Sequence, residues 1–214
     1  GFEQAIRSKI YVDKTGLIAC TNELLNTKER FACVSRPRRF GKSMALEMLS
    51  AYYGRGCDSR KLFAGLKIEG DSSFEEHLNQ YDVIYLNMQQ FLIGAKKQEL
   101  TEYLEAEVLE ELLEEYGYLL KRQNMGLADT LRKIYAKSGK QFIILIDEWD
   151  CVMRERQESE EMQKQYLDFL RDLLKDQTFV ALAYMTGILP VKKYGKHSAL
   201  NMFQEYSMTN QKAL

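Results

Sequence analysis

The chain has 214 residues, of which 45% are hydrophobic and 29% are charged, an ordinary composition for a folded globular protein. The formal net charge of −1 provides no overall positive field, so the composition does not indicate nucleic acid or an anionic membrane as a partner. No apolar run approaches the length of a membrane span, so no membrane partner is expected.

The four cysteines are Cys20, Cys33, Cys57 and Cys151, and no two of them have CxxC spacing. This arrangement argues against a zinc site or a disulfide framework and favours a reducing compartment, so we predict a cytoplasmic protein. The sequence begins with Gly1 rather than Met, and we expect it to be part of a longer chain.

Short apolar runs alternate with amphipathic segments along the chain. After a lead-in and an N-terminal helix within residues 1–30, the runs predict strands at 31–35, 83–88, 141–146, 179–185 and 203–208. Apolar residues at helical spacing predict helices at 43–53, 97–121, 126–136 and 155–176. The unbroken apolar run 141–146 is typical of a central parallel strand that is buried on both faces. This order predicts parallel βαβ units in a single domain over residues 1–214.

The first predicted strand leads into the run Arg-Pro-Arg-Arg-Phe-Gly-Lys-Ser at residues 36–43, and a predicted helix follows. Strand, loop, Gly-Lys-Ser and helix is the order of a phosphate-binding loop, in which backbone N–H groups and a helix N-terminus face an anion. The usual pattern has glycine, which adopts positive φ easily, at the position of Arg36. Pro37 also biases Arg36 toward extended geometry, so we expect a stiffer loop than usual. On its own this motif is weak evidence for a phosphate-binding loop.

The apolar run 141–146 ends in Asp147-Glu148. A Mg²⁺ ion that bridges two phosphates needs hard oxygen ligands, and Ser43 and Asp147 are the candidates for them. Lys42 would neutralise phosphate charge, and Glu148 would orient and deprotonate the attacking water, so these two residues are the candidate catalytic residues. Strands often end in charged residues, and for Asp147-Glu148 alone that explanation is equally good. The pairing with Gly-Lys-Ser favours the triphosphatase site.

Further candidates surround these residues. Thr186 ends the fourth predicted strand, where a polar residue would lie near the γ-phosphate, although Thr-Gly also suits an ordinary turn. The predicted nucleotide-binding residues are Arg38, Arg39, Phe40, Gly41, Lys42, Ser43, Met44 and Thr186. For the three arginines Arg36, Arg38 and Arg39, three interpretations stay open: contact with phosphates, ion pairs with neighbouring carboxylates, or contact with an acidic surface of a partner.

Five segments, in this order, resemble the bacterial AAA-ATPase-like family, whose members often precede a PD-(D/E)XK-type nuclease domain. They are Tyr-Val-Asp-Lys-Thr at 11–15, Ser-Arg-Pro-Arg-Arg-Phe-Gly-Lys-Ser at 35–43, Leu-Ile-Asp-Glu-Trp-Asp at 145–150, Thr-Gly-Ile at 186–188 and Ser-Ala-Leu-Asn at 198–201. In that family the arginine-rich form of the loop is normal. The family usually has Tyr at the position of Trp149 and often has Pro at the position of Val152.

The resemblance implies a P-loop NTPase of three-layer α/β/α architecture with a mostly parallel central sheet of the additional-strand type. It implies that the strand with Asp147 and Glu148 lies between the P-loop strand and its neighbours, and that ATP and Mg²⁺ are the cofactors. It also implies that the C-terminal region of the family is missing from residues 1–214 and that a nuclease-like domain is a possible partner. Nothing in the sequence resembles the nuclease motif itself.

These observations predict a Mg²⁺-dependent domain that binds and hydrolyses ATP and regulates an attached or partner domain. One alternative is a nucleotide-binding switch with little or no hydrolysis, because the loop is unusual and no arginine finger is apparent. Another is a P-loop kinase, which an arginine-rich lid would favour, but residues 150–165 are acidic. Nucleic acid is not indicated as a partner. The choice between ATP and GTP and the oligomeric state stay open.

Overall fold

Five strands form one parallel sheet in a computed structural model that describes residues 1–96, 99–121, 125–192 and 199–207. The strands are β1 (Phe31–Ser35), β2 (Asp82–Asn87), β3 (Phe142–Asp147), β4 (Val180–Gly187) and β5 (Gln204–Ser207). Their order across the sheet is β2-β3-β4-β1-β5, and every pairing is parallel. All five predicted strands are therefore confirmed, although Met208, the last residue predicted for β5, lies outside the described residues.

The position of β3 corrects one expectation from the family resemblance. The strand that carries Asp147 does not lie beside β1, because β1 pairs with β4 and β5, and β3 lies between β2 and β4. All eight residues of β4 are buried, whereas β2 and β5 are only partly buried. The fully buried strands β1, β3 and β4 thus form the interior of the sheet, and the partly buried β2 and β5 form its edges.

Helices cover both faces of the sheet. They are α1 (Phe2–Ile6), α2 (Gly16–Leu24), α3 (Lys42–Tyr53), α4 (Phe74–His77), α5 (Met88–Ala95), α6 (Leu100–Tyr116), α7 (Leu127–Ser138), α8 (Cys151–Glu155) and α9 (Glu160–Leu174). Short 3-10 turns lie at Arg60–Phe63, Lys67–Gly70 and Gly117–Leu119.

Successive residues of β3 pack in opposite directions. Ile144 and Ile146 join a core with α5 to α9, and Ile143 and Leu145 join a core with α1 to α4. Alternation along a strand sends neighbouring side chains to opposite faces, so the sheet has one apolar core on each side. The predicted three-layer α/β/α architecture of a P-loop NTPase is confirmed.

Two predicted helical regions differ from the observed ones, and one observed helix was not predicted. Residues 155–176 contain a break, because α8 ends at Glu155 and the side chain of Ser159 then caps α9 by accepting a bond from the N–H of Met162 at 3.3 Å. Helix α5 was not predicted, and it begins after Asn87, whose side chain accepts a bond from the N–H of Gln90 at 3.1 Å. The start of the predicted helix 97–121 falls on residues outside the described ones, and α6 begins at Leu100.

The strand register brings three strand ends to one edge of the sheet. Val34 of β1 lies opposite Thr186 of β4, and Ile146 of β3 lies opposite Met185. In open parallel sheets, ligands bind outside the carboxyl ends of the strands. Within the described ranges, no helix combines the length and the apolar character that a membrane span requires.

Candidate functional site

The chain between β1 and α3 forms a loop over residues 36–41. Positive φ angles occur at Arg39 (68°) and Gly41 (75°), whereas the N–H of Arg36 donates to the carbonyl of Gly187 at 3.1 Å. Arg36 therefore continues the ladder between β1 and β4. This explains why the position that is usually glycine accepts an arginine, because the left-handed backbone lies later in the loop.

Lys42 is the first residue of α3 and folds back over the loop. Its Nζ donates to the carbonyl oxygens of Arg36 (2.9 Å) and Pro37 (2.8 Å). Gly41 occupies the N-cap position of α3 without a side-chain cap, and the first turn carries no acidic residue. The twelve-residue helix α3 therefore begins with N–H groups that no side chain caps, and Lys42 lies beside them. Helix N-termini of this kind commonly bind anions.

A cleft of about 590 Å³, here called the loop cleft, opens beside this turn. Its walls include Arg36, Phe40, Gly41 and Lys42 from the loop and Thr186 from β4. A second, mainly apolar cleft of about 330 Å³ adjoins it and is lined by Met44 and by residues of the N-terminal segment. Pockets of this size accommodate small-molecule ligands, so both clefts together are large enough for a nucleotide.

Asp147 is buried at the end of β3, where its carboxylate is held in place. Its Oδ1 accepts bonds from Thr186 Oγ1 at 2.5 Å and from the N–H of Glu148 at 3.0 Å. Burial, followed by the negative charge of Asp147, raises the pKa of the Tyr85 hydroxyl well above its ordinary value. The bond from Thr186 fastens Asp147 to β4, and Thr186 itself lines the loop cleft.

Glu148 turns the chain away from β3 and contacts an arginine. Its φ is 52°, and its Oε2 accepts a bond from Arg154 Nη2 at 2.7 Å. Arg154 Nε also pairs with Oδ2 of Asp150 at 3.2 Å. Burial lowers the pKa of Arg154, but the charges of Asp150 and Glu148 outweigh it, so the net shift is upward. The arginine is therefore held charged between two carboxylates.

Asp150 connects this cluster to the chain that follows β4. Its carboxylate is fully buried, and its Oδ2 accepts bonds from the N–H groups of Ile188 (3.1 Å) and Leu189 (2.8 Å). The sequence analysis missed Asp150 and Arg154 as site residues. Their spacing of four on a helix was the available signal, because side chains four residues apart face each other on a helix.

Burial and the charges of neighbouring side chains set the pKa of Lys42. Burial lowers the pKa of Lys42, and the negative charges of Asp147, Glu148 and Asp150 oppose that shift without reversing it. The carboxylates at the end of β3 therefore act on the lysine of the loop.

The family described as "Predicted AAA-ATPase" matches residues 2–196. The chain belongs to this family. A relative from Azotobacter chroococcum mcd 1, named "Uncharacterized protein in vnfD 5'region", is 25% identical over 213 residues, and the match covers 92% of this chain and 37% of the relative. The chain thus spans little more than a third of that relative's length. Membership in a predicted AAA-ATPase family indicates nucleotide binding at the family level.

For this AAA-ATPase-like chain, the structure brings some of the predicted site residues together. Phe40, Gly41, Lys42 and Thr186 line the loop cleft, and Asp147 joins them through its bond to Thr186. Other candidates lie apart from the cleft walls: Arg38, Arg39 and Ser43 are exposed, and Met44 lines the adjoining cleft. Glu148 contacts Arg154 instead of facing the cleft. The functional roles of these residues stay predictions.

The three loop arginines form no ion pair with any residue that the structure describes. The interpretation that Arg36, Arg38 and Arg39 pair with neighbouring carboxylates is therefore wrong for the described residues. Contact with phosphates and contact with a partner remain as interpretations, and Arg36 lines the cleft.

The chemistry of the candidate Mg²⁺ ligands fits the ion. Ser43 offers a hydroxyl on the first turn of α3, and Asp147 offers a carboxylate at the end of β3, both of which are hard oxygen donors. In the described ranges, no group of three or more His, Cys, Asp or Glu side chains is arranged to hold a metal by itself. Mg²⁺ at this type of site takes one or two protein ligands and completes its shell with phosphate oxygens and water.

Proposed function

We propose that this domain binds Mg-ATP in the loop cleft and hydrolyses it, in order to regulate an attached or partner domain. The proposal rests on which residues line the loop cleft. Lys42 and Thr186 line one cavity, and Thr186 holds the buried carboxylate of Asp147. A cation therefore lines the cleft, and the candidate metal ligand Asp147 is bonded to a residue of the cleft wall.

Binding would begin with an exchange of partners at Lys42. Its Nζ is bonded to two carbonyl oxygens of the loop, and phosphate oxygens would replace them as acceptors. The donor is charged in both sets of bonds, but only phosphate oxygens carry the opposite charge, which favours the exchange. The N–H groups of residues 41–44 would add further donors at the start of α3.

Hydrolysis would require a second rearrangement. Ser43 and Asp147 would hold Mg²⁺, which supplies neutralisation of phosphate charge. Glu148 is the candidate base, but its carboxylate is paired with Arg154 at 2.7 Å. To accept a proton from water, Glu148 must leave that pair and turn toward the cleft.

A second candidate function is a nucleotide-binding switch with little or no turnover. The pair between Glu148 and Arg154 favours it, because a carboxylate engaged in an ion pair is a poor general base. A nuclease-like domain as the regulated partner stays a prediction from the family resemblance.

Calorimetry with Mg-ATP and Mg-GTP tests binding. We expect Lys42→Ala to weaken Mg-ATP binding at least about tenfold, the effect of losing one charge-assisted contact. Lys9→Ala, which removes an exposed lysine outside both clefts, is the control and should bind as wild type does. Unchanged affinity in Lys42→Ala would refute the proposed site.

Single-turnover assays with excess protein separate the two functions. Phosphate release by wild type that falls strongly in Glu148→Gln supports the ATPase. Tight binding without phosphate release supports the switch, and equal release by both proteins shows that Glu148 is not the base.

A further inference from the structure

A lysine of the segment that precedes α2 reaches the loop. Lys14 lines both the loop cleft and the adjoining apolar cleft. Its Nζ lies 3.2 Å from the position that a Cβ atom on residue 41 would occupy. The ammonium group of Lys14 therefore reaches the backbone of the loop at Gly41, whose positive φ of 75° favours glycine.

Hydrogen bonds to Asp13 fix the backbone around Lys14. Oδ1 of Asp13 accepts bonds from the N–H (2.8 Å) and the hydroxyl (2.6 Å) of Thr15, and Oδ2 accepts a bond from the N–H of Lys67 at 2.7 Å. Thr15 Oγ1 in turn accepts a bond from the N–H of Ile68 at 3.2 Å. Residues 13–15 are thus fastened to the turn at Lys67–Gly70, which sets the direction from which Lys14 approaches the cleft.

The charge state of Asp13 favours this arrangement. Burial raises its pKa, but the hydrogen bonds from Thr15 and Lys67 and the charge of Lys67 outweigh burial, so the net shift is downward. An ionised carboxylate accepts hydrogen bonds at both oxygens, whereas a protonated one carries a hydrogen on one of them. The lowered pKa therefore keeps Asp13 in the form that accepts all of these bonds. Asp13 is therefore a positioning residue for its neighbour Lys14.

Lys14 is exposed, so its ammonium group is available to a ligand in the loop cleft. Among the residues that the structure describes, Nζ of Lys14 forms neither a hydrogen bond nor an ion pair. It lies beside the N-terminus of α3, where the helix dipole is positive and repels a cation. The loop cleft also contains Arg36, Lys42 and Lys67, against one acidic residue, Asp13. A cleft with this balance of charge is suited to a polyanion.

We infer that Lys14 is a further phosphate-binding residue, which donates to the polyphosphate of the nucleotide in the loop cleft. The inference rests on the proposed function, since it concerns the same cleft. It assigns the Tyr-Val-Asp-Lys-Thr segment at residues 11–15 to the binding site, with Lys14 as the contact and Asp13 as its positioning residue.

The test compares Lys14→Ala and Lys14→Arg with wild type by calorimetry, with Mg-ATP, inorganic tripolyphosphate and adenosine as probes. Loss of one exposed charge-assisted contact should weaken the binding of Mg-ATP and tripolyphosphate about fivefold and leave adenosine unaffected. Lys14→Arg should retain most of the affinity, because it retains the charge. Lys9→Ala is the matched control and should bind every probe as wild type does. Since Lys14 is exposed, the thermal midpoints should agree, which verifies the fold of each variant.

Three results would overturn the inference, and they differ in their meaning. Wild-type affinity for tripolyphosphate in Lys14→Ala, together with loss in Lys42→Ala, refutes the role of Lys14 and leaves the proposed function intact. An equal loss for adenosine and tripolyphosphate refutes the phosphate assignment. Wild type that binds neither Mg-ATP nor tripolyphosphate refutes the inference and the proposed function together.

Discussion

Gly187, the last residue of β4, lies against two buried side chains of the carboxylate cluster. A Cβ atom at this position would lie 2.6 Å from Nε1 and 2.7 Å from Cδ1 of Trp149, and 2.9 Å from Oδ1 of Asp150. Trp149 and Asp150 are both fully buried, and the carbonyl of Trp149 accepts a bond from the hydroxyl of Tyr166 at 2.7 Å. We therefore expect Gly187→Ala to destabilise the protein and to displace the end of β4.

The size of the expected destabilisation follows from the short distances between the added Cβ atom and Trp149. Non-bonded carbon contacts are most favourable at about 3.5–4.0 Å, so Trp149 would have to move by close to an ångström within a packed core. Overpacking of this kind costs about 1–3 kcal/mol, and the upper end applies because both neighbours are fully buried. For a domain of this size, each kcal/mol lowers the thermal midpoint by about 2–4 °C. The expected decrease for Gly187→Ala is therefore about 6–12 °C.

Thermal unfolding followed by circular dichroism measures this decrease. Gly56→Ala is the matched control, because a Cβ at Gly56 would have no atom within 4 Å and its φ is not positive. That variant should unfold at the wild-type temperature or slightly above it, since alanine restricts the unfolded chain. If Gly187→Ala unfolds at the same temperature as Gly56→Ala, the packing argument is wrong and the ring of Trp149 can relocate.

Arg154→Met should lower the free energy of unfolding by about 2–4 kcal/mol in urea titrations, because it leaves the buried carboxylate of Asp150 without its cation. Arg132→Met, which breaks an exposed ion pair, should change it by less than about 1 kcal/mol, and equal effects would contradict the argument. The hydroxyl of Tyr52 donates to the carbonyl of Phe74 at 2.8 Å, and burial raises its pKa from 10.0 to about 12. Because this pKa is higher in the folded state, the contribution of Tyr52 to stability is complete below pH 10 and is lost as the pH rises to about 12. The difference in unfolding free energy between wild type and Tyr52→Phe should therefore shrink across this interval, and a constant difference would refute the assignment.

The sequence predicted those features that depend on local composition. Apolar runs located all five strands, and β1 has the predicted bounds, Phe31–Ser35. The family resemblance and the fold class are confirmed, the Gly-Lys-Ser motif lies at the start of α3 after β1, and the Asp-Glu motif lies at the end of β3, as expected. These features follow from short-range patterns, which a single sequence displays directly.

The remaining features depend on contacts between distant segments. Thr186 bonds to Asp147 across 39 positions of sequence, and that contact exists only because β4 lies beside β3. The pairing of Glu148 with Arg154 depends on the left-handed backbone at Glu148, which nothing in the sequence indicates. The place of Lys14 beside Gly41 likewise depends on how residues 11–15 pack against the loop.

The bonds from Lys42 to the carbonyls of Arg36 and Pro37 have a consequence for folding. They supply two loop carbonyls with a donor from within the chain, so contacts of the protein itself hold the curled conformation of the loop. In the proposed function, phosphate would compete with these two internal bonds, and the measured affinity would be the difference between the two sets of contacts. Substitutions that strengthen the internal bonds should then stabilise the loop and weaken nucleotide binding. Stability of the loop and affinity for a ligand would thus be opposed through a single lysine.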